Sequence, residues 1–110
     1  MGDSEAFLTL VSKRRKKQAL PKSVNLRKDA VVRFGRDGKQ VDVELGVGSV
    51  SRLHASVKFE DSGWMLADHS SNGTYVNGSK VVGEAAIKPG DTISFGKRAK
   101  YSFNLIEMDT

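Results

Sequence analysis

The sequence predicts an all-β sandwich of two sheets, built as a single domain over residues 1–110, on three observations. Apolar residues recur with a period of about two in short runs, and clusters of Gly, Asp, Asn and Ser separate those runs. No segment carries a sustained apolar stripe at the helical period. Alternation sends successive side chains to opposite faces, so each run can bury one face and wet the other.

The runs are taken in order. Ala6–Ser12 and Ser23–Leu26 come first, the second alternating through Val24 and Leu26. Ala30–Phe34 is β-branched and aromatic, and Val41–Leu45 alternates Val with Asp and Glu after the Asp37-Gly38 turn. Ala55–Glu60 and Trp64–Asp68 flank Asp61-Ser62-Gly63. Thr74–Val76 and Ser79–Val81 enclose Asn77-Gly78, whose residues tolerate the positive φ angles of a two-residue hairpin. Asp91–Phe95 follows Pro89-Gly90, and Tyr101–Met108 is the last. Trp64, Phe34, Phe59, Phe95 and Phe103 are the aromatic candidates for the layer between the sheets.

Composition narrows the function classes. Cysteine is absent, which excludes disulfides, thiolate metal sites and Cys nucleophiles; a metal would have to use His54, His69 and carboxylates, and no metal or cofactor is expected. Apolar stretches run to three or four residues, far below the ~20 of a membrane-spanning helix, so the chain reads as soluble and intracellular. The charge is uneven. Residues 1–40 hold 11 basic and 4 acidic side chains, residues 41–110 hold 7 and 9, and the net is +5. Five consecutive cations, Lys13 to Lys17, dominate the first part and are placed with Gln18–Lys22 on a solvated loop between the first two strands. Such a run can serve nuclear import, attract phosphate-rich partners, or simply be a solvated loop.

The chemistry concentrates between Arg33 and Gly78. Gly35-Arg36 follows one strand, Ser51-Arg52-Leu53-His54 precedes another, and Ser70-Ser71-Asn72-Gly73-Thr74-Tyr75-Val76-Asn77-Gly78 bridges two more. In a sandwich, loops gather at the ends of the sheets, so Arg36, Ser51, Arg52, Ser71 and Asn72 can meet on one surface. Guanidinium forks, hydroxyls and an amide suit a phosphate dianion without a metal.

Gly-Arg, then Ser-Arg-x-His, then Ser-Asn-Gly-Thr-x-Val-Asn-Gly, and finally Gly90-Asp91-Thr92-Ile93-Ser94-Phe95-Gly96, resemble the forkhead-associated (FHA) domain family over nearly the whole chain. The resemblance implies an eleven-stranded β-sandwich that binds phosphothreonine peptides through loops at one end. It implies that Arg36, Ser51, Arg52 and Ser71 hold the phosphate and that Asn72 hydrogen-bonds the peptide backbone. Gly35, His54, Gly73, Thr74, Asn77 and Gly78 would support the site. Val47, Gly48 and Ser49 fall in the loop where some members select a flanking residue, and here that loop is short and uncharged. The expected role is an adaptor in nuclear or kinase signalling rather than an enzyme.

Two other readings belong to different classes. One is a nucleic-acid-binding β domain using Lys13–Lys17, against which stands an aromatic content of 7%, too low for a stacking platform. The other is an FHA fold that dimerises without phosphate. A catalytic Ser51–His54–Asp68 arrangement lacks an evident oxyanion hole. Gly46-Val47-Gly48 lacks the Lys-Ser/Thr ending of a nucleotide loop. His69 is expected on an exposed loop.

Overall fold

Period-two burial is the force that assembles this chain: β2 reads exposed, buried, exposed, buried through Ser23–Leu26, and β5 buries Ala55 and Val57 while showing Ser56 and Lys58. The structure, a computed structural model, describes residues 6–10, 23–45, 50–61, 63–96 and 102–107. Among them lie eleven strands: β1 (Ala6–Leu10), β2 (Ser23–Leu26), β3 (Val32–Gly35), β4 (Val43–Glu44), β5 (Ala55–Glu60), β6 (Gly63–Asp68), β7 (Thr74–Val76), β8 (Ser79–Lys80), β9 (Glu84–Ile87), β10 (Thr92–Phe95) and β11 (Ser102–Glu107). They form a six-stranded sheet in the order β2-β1-β11-β10-β7-β8 and a five-stranded sheet in the order β4-β3-β5-β6-β9.

The core lies where the inner faces meet. Phe34 of one sheet stacks on Phe95 of the other at 5.4 Å between ring centroids, and Phe95 meets Phe103 edge-on at 5.8 Å. Leu26, Val57, Leu66, Ile93 and Leu105 fill the spaces around them and are all buried. Each such side chain stabilises the fold by roughly 1.5–3 kcal/mol relative to exposure. Trp64 is buried and meets Phe59 edge-on at 5.0 Å, whereas Phe59 is only half-buried, with the Lys28 ammonium 4.6 Å from its ring centre.

The structure trims and corrects the expected strands. Val11 and Ser12, where the first is expected to end, lie outside the described residues; the third runs Val32–Gly35 instead of Ala30–Phe34, and Val41–Leu45 shrinks to Val43–Glu44. Asp42 explains the last change, because its carboxylate accepts the Arg33 N–H at 2.9 Å and takes a ladder position; β4 then pairs with β3 in parallel. One strand went unread: β9, Glu84–Ile87, whose Ala85-Ala86 centre has weak strand propensity and which is held by pairing with β6. The Asn77-Gly78 hairpin stands as expected, with φ of 53° and 87° between paired Val76 and Ser79. Lys13–Lys17, Ser62 and the Val47-Gly48-Ser49 loop lie outside the described residues.

The topology gives the sandwich two distinct ends. β3 finishes, β5 begins, β6 finishes, β7 begins and β10 finishes at one of them. At the other, Ala6 pairs with both Glu107 and Leu26, so the outermost pairs of β1 and β11 lie away from that loop cluster.

Candidate functional site

Arg36 leaves β3 with its backbone N–H donating to the Ser51 carbonyl at 2.9 Å, and Asp37 N–H donates to the Arg52 carbonyl at 3.2 Å. These two bonds lash the β3–β4 turn to the segment before β5. Gly35 makes the approach possible: a Cβ there would overlap the Arg52 carbonyl oxygen and come within 2.8 Å of its carbon. The exposed Arg36 side chain is oriented as well, since Nε donates to the Val50 carbonyl at 3.0 Å and leaves the terminal NH₂ groups to a ligand. Arg52 is exposed and its guanidinium has no hydrogen-bond partner among the described residues. Hydrogen bonds from Lys39 N–H and the Gln40 amide, helped by the charges of Arg52 and Arg36, hold Asp37 below the usual carboxylate value.

His54 is the buried brace under this surface. It is 0% exposed, packs edge-on against Phe95, and uses both ring nitrogens. Ser51 N–H donates to Nδ1 at 3.1 Å, which makes Nδ1 the acceptor, so Nε2 carries the proton and donates to the Gly73 carbonyl at 2.9 Å. Gly73 O also accepts the Gly96 N–H at 2.9 Å, joining the loop after β6 to the end of β10. Burial pushes His54 below its ordinary 6.5, against opposing pulls from the Gly73 carbonyl and the Asp68 charge. A neutral imidazole is what this pattern requires. The geometry also removes the serine-nucleophile reading: Nδ1 faces the Ser51 amide, and the catalytic relay has no place to form.

The third segment is organised by Asp68. Its Oδ1 accepts the Ser70 hydroxyl at 2.6 Å, the Thr74 hydroxyl at 2.8 Å and the Ser70 N–H at 3.2 Å. Ser70 Oγ in turn accepts Gly73 N–H at 2.7 Å. Burial alone would raise the Asp68 carboxyl, but the Ser70 and Thr74 hydrogen bonds outweigh it and hold it low. Gly73 completes the turn at φ 99°, a conformation glycine adopts without strain. Ser71 N–H then donates to Ser51 Oγ at 3.1 Å, closing the gap between the two segments.

Arg36, Ser51, Arg52, Ser71 and Asn72 therefore belong to one set of mutually bonded loops at one end of the sandwich, with Gly35, His54, Gly73 and Thr74 beneath or between them. Asn77 and Gly78 do not join them. They sit past the other end of β7, where Asn77 Nδ2 donates to Asp91 Oδ1 and Thr92 N–H donates to Asn77 Oδ1, both at 2.9 Å. Asp68 and Ser70 are organisers that sequence reasoning left out; an Asp followed two residues on by Ser, before a Gly, is the pattern of a side-chain-capped turn and could have pointed to them. His69 is exposed, as expected, and bonded to Ser56 Oγ at 3.0 Å.

A β-sandwich that gathers arginine, serine and asparagine on loops at one end is an anion-recognition module by its construction. The FHA domain model matches residues 32–96, more than half of the chain, and the chain belongs to that family. No curated protein sequence matches it. Among solved structures, Mycobacterium tuberculosis EmbR in complex with a low affinity phosphopeptide superposes with a TM-score of 0.77 at 25% identity, covering 97% of this chain and 26% of EmbR. The chain thus spans about a quarter of the length of EmbR. The FHA domain of a Chlamydia trachomatis protein gives 0.79 at 21% identity over 96% of this chain and 100% of that one. The MEK1 FHA domain, bound to a HOP1 phosphothreonine peptide, gives 0.74 at 22% identity over 96% and 99%.

Proposed function

We propose that the chain is a phosphothreonine-dependent peptide-binding module, an adaptor with no catalysis of its own. The carrying observation is the Ser51 hydroxyl. Its oxygen accepts Ser71 N–H, so its proton is left to donate outward, beside two arginines whose backbones are fastened to the same segment. Arg36, Ser51, Arg52 and Ser71 hold the phosphate, Asn72 holds the peptide backbone, and Val47, Gly48 and Ser49 read a flanking residue. The family membership and the phosphopeptides bound to EmbR and the MEK1 domain support this reading. Because His54 is buried and both its ring nitrogens are committed to Ser51 N–H and the Gly73 carbonyl, it is not placed to take a proton from the Ser51 hydroxyl, and recognition is the chemistry these loops offer.

The test is fluorescence anisotropy with one peptide in phosphothreonine, phosphoserine and unphosphorylated forms, beside a DNA oligonucleotide. The phosphothreonine form is expected to bind best, about fourfold over phosphoserine if burial of the extra methyl contributes roughly 0.8 kcal/mol. Equal binding of phosphorylated and unphosphorylated forms would overturn the reading. Tight binding of the oligonucleotide alone would favour the nucleic-acid alternative.

A further inference from the structure

The outer face of the five-stranded sheet carries a shallow groove of about 310 Å³, lined by Leu53, His69, Arg33, Ser56, Ala67 and Glu84 with Lys58 and Met65 along its far side. Strand register explains it. Arg33 pairs with Ser56, Ser56 with Ala67 and Ala67 with Glu84, so four outward side chains form one straight row across β3, β5, β6 and β9. The two middle members are small, and the row sinks between its neighbours. Its ends carry opposite charges about three strand spacings apart, roughly 14 Å, which is the reach of four to five extended residues. Neither the Arg33 nor the Glu84 side chain has an ion pair or hydrogen bond among the described residues, whereas Lys58 is paired with Glu60 at 3.3 Å.

Two of the groove's lining residues adjoin the phosphate loops along the chain. Leu53, on its near wall, follows Arg52, and His69, beside it, precedes Ser70. The Ser56–His69 bond at 3.0 Å holds that wall in place.

We propose that this groove binds a second stretch of the same phosphorylated partner: an extended segment with an acidic residue against Arg33, small residues over Ser56 and Ala67, and a basic residue against Glu84. The inference rests on the phosphothreonine reading above. Charge complementarity at both ends fixes the direction of the segment, and the phosphate supplies the first anchor.

The experiment uses calorimetry on the full chain with a short phosphothreonine core peptide and with the same core lengthened on either side by an acid-to-base segment, its reversed base-to-acid twin, or alanines. One lengthened peptide is expected to bind about fivefold tighter than its alanine counterpart, as two exposed ion pairs would give. Arg33→Glu with Glu84→Arg should abolish that gain, transfer it to the reversed twin, and leave the core peptide within twofold. Ala67→Leu, which fills the trough without touching charge, should remove the gain from both. If no lengthened peptide gains, if all charged tails gain alike, or if the charge swap does not reverse the preference while the core still binds, the groove proposal falls alone. If the core peptide binds no better than its unphosphorylated form, the phosphothreonine reading falls and takes this one with it.

Discussion

Arg36 is held at its Nε by the Val50 carbonyl, so its terminal donors are aimed before a ligand arrives. Arg52 lacks such a tether among the described residues and must be ordered on binding. Both Arg36→Ala and Arg52→Ala are expected to weaken phosphopeptide binding by roughly 1.5–3 kcal/mol, about ten- to a hundredfold, while thermal unfolding stays nearly unchanged. Ser51→Ala should cost about 1 kcal/mol for the lost hydroxyl, with a further loss because Ser71 N–H then gives up its acceptor. Unchanged affinity in all three folded variants, read by calorimetry, would remove these residues from the site. His54 makes a prediction of different kind. Its proton affinity is depressed in the fold, so the unfolded chain binds more protons just below pH 6.5 and stability must fall as the pH drops through that region. The stabilisation is complete above 6.5 and declines until the folded imidazole also titrates. Urea unfolding between pH 7.5 and 5 should show this slope, and His54→Ala should flatten it at a cost of about 3 kcal/mol for a buried, doubly bonded ring. An undiminished slope in the variant would assign the pH dependence elsewhere.

At the scale of elements, what could be read and what could not divides by the range of the interaction. Asn77-Gly78 was legible as a hairpin because a positive-φ pair declares itself locally, yet the Asn77 bonds to Asp91 and Thr92 depend on a strand 15 residues away and left no local sign. β9 was invisible for the same reason, since only its pairing with β6 makes a strand of two alanines. The motifs Gly35-Arg36, Ser51–His54 and Ser70–Thr74 were legible as loop chemistry, and their convergence followed from sandwich topology. The bonds that fasten them from Ser71 to Ser51 and from Asp37 to the Arg52 carbonyl were beyond sequence, because they join positions brought together only by packing. Gly35 tests this fastening. Gly35→Ala must displace the Arg52 backbone and should cost about 1–3 kcal/mol in stability as well as phosphopeptide affinity. Gly63→Ala, where nothing lies within 4 Å of the added carbon, is the matched control and should be close to neutral in both. Equal effects of the two substitutions would show that the close approach is unimportant.

For the whole molecule, the governing feature is polarity between its two ends. β1 runs toward the binding-loop end and β2 returns from it, so the Lys13–Lys17 segment connects strands at that end, although its own structure lies outside the described residues. We propose that this run acts through its field and as a nuclear address. Replacing Lys13 to Lys17 by Gln should slow association with an acidic phosphopeptide at low salt and leave dissociation unchanged, because exposed charges are screened beyond about 8–10 Å at ordinary ionic strength. Stopped-flow at two salt concentrations checks the kinetics; a faster off-rate would make the run part of the contact surface. Microscopy of a tagged chain checks the address, and unaltered nuclear accumulation would remove it.

The pairing of Ala6 with Glu107 has a practical consequence for anyone who wishes to use this module as a sensor. A flexible linker fused ahead of β1 or behind β11 departs from the face opposite the arginine loops, so immobilisation on a chip or fusion to a fluorescent reporter leaves the recognition surface pointing into solution. The two attachment points are neighbours in one sheet, separated by about 5 Å across the strands. A donor and an acceptor fluorophore placed there would be fixed close together and blind to ligand, whereas one partner moved to an exposed position such as Lys80, on the β8 edge, would put the reporters three or four strands apart in the sheet.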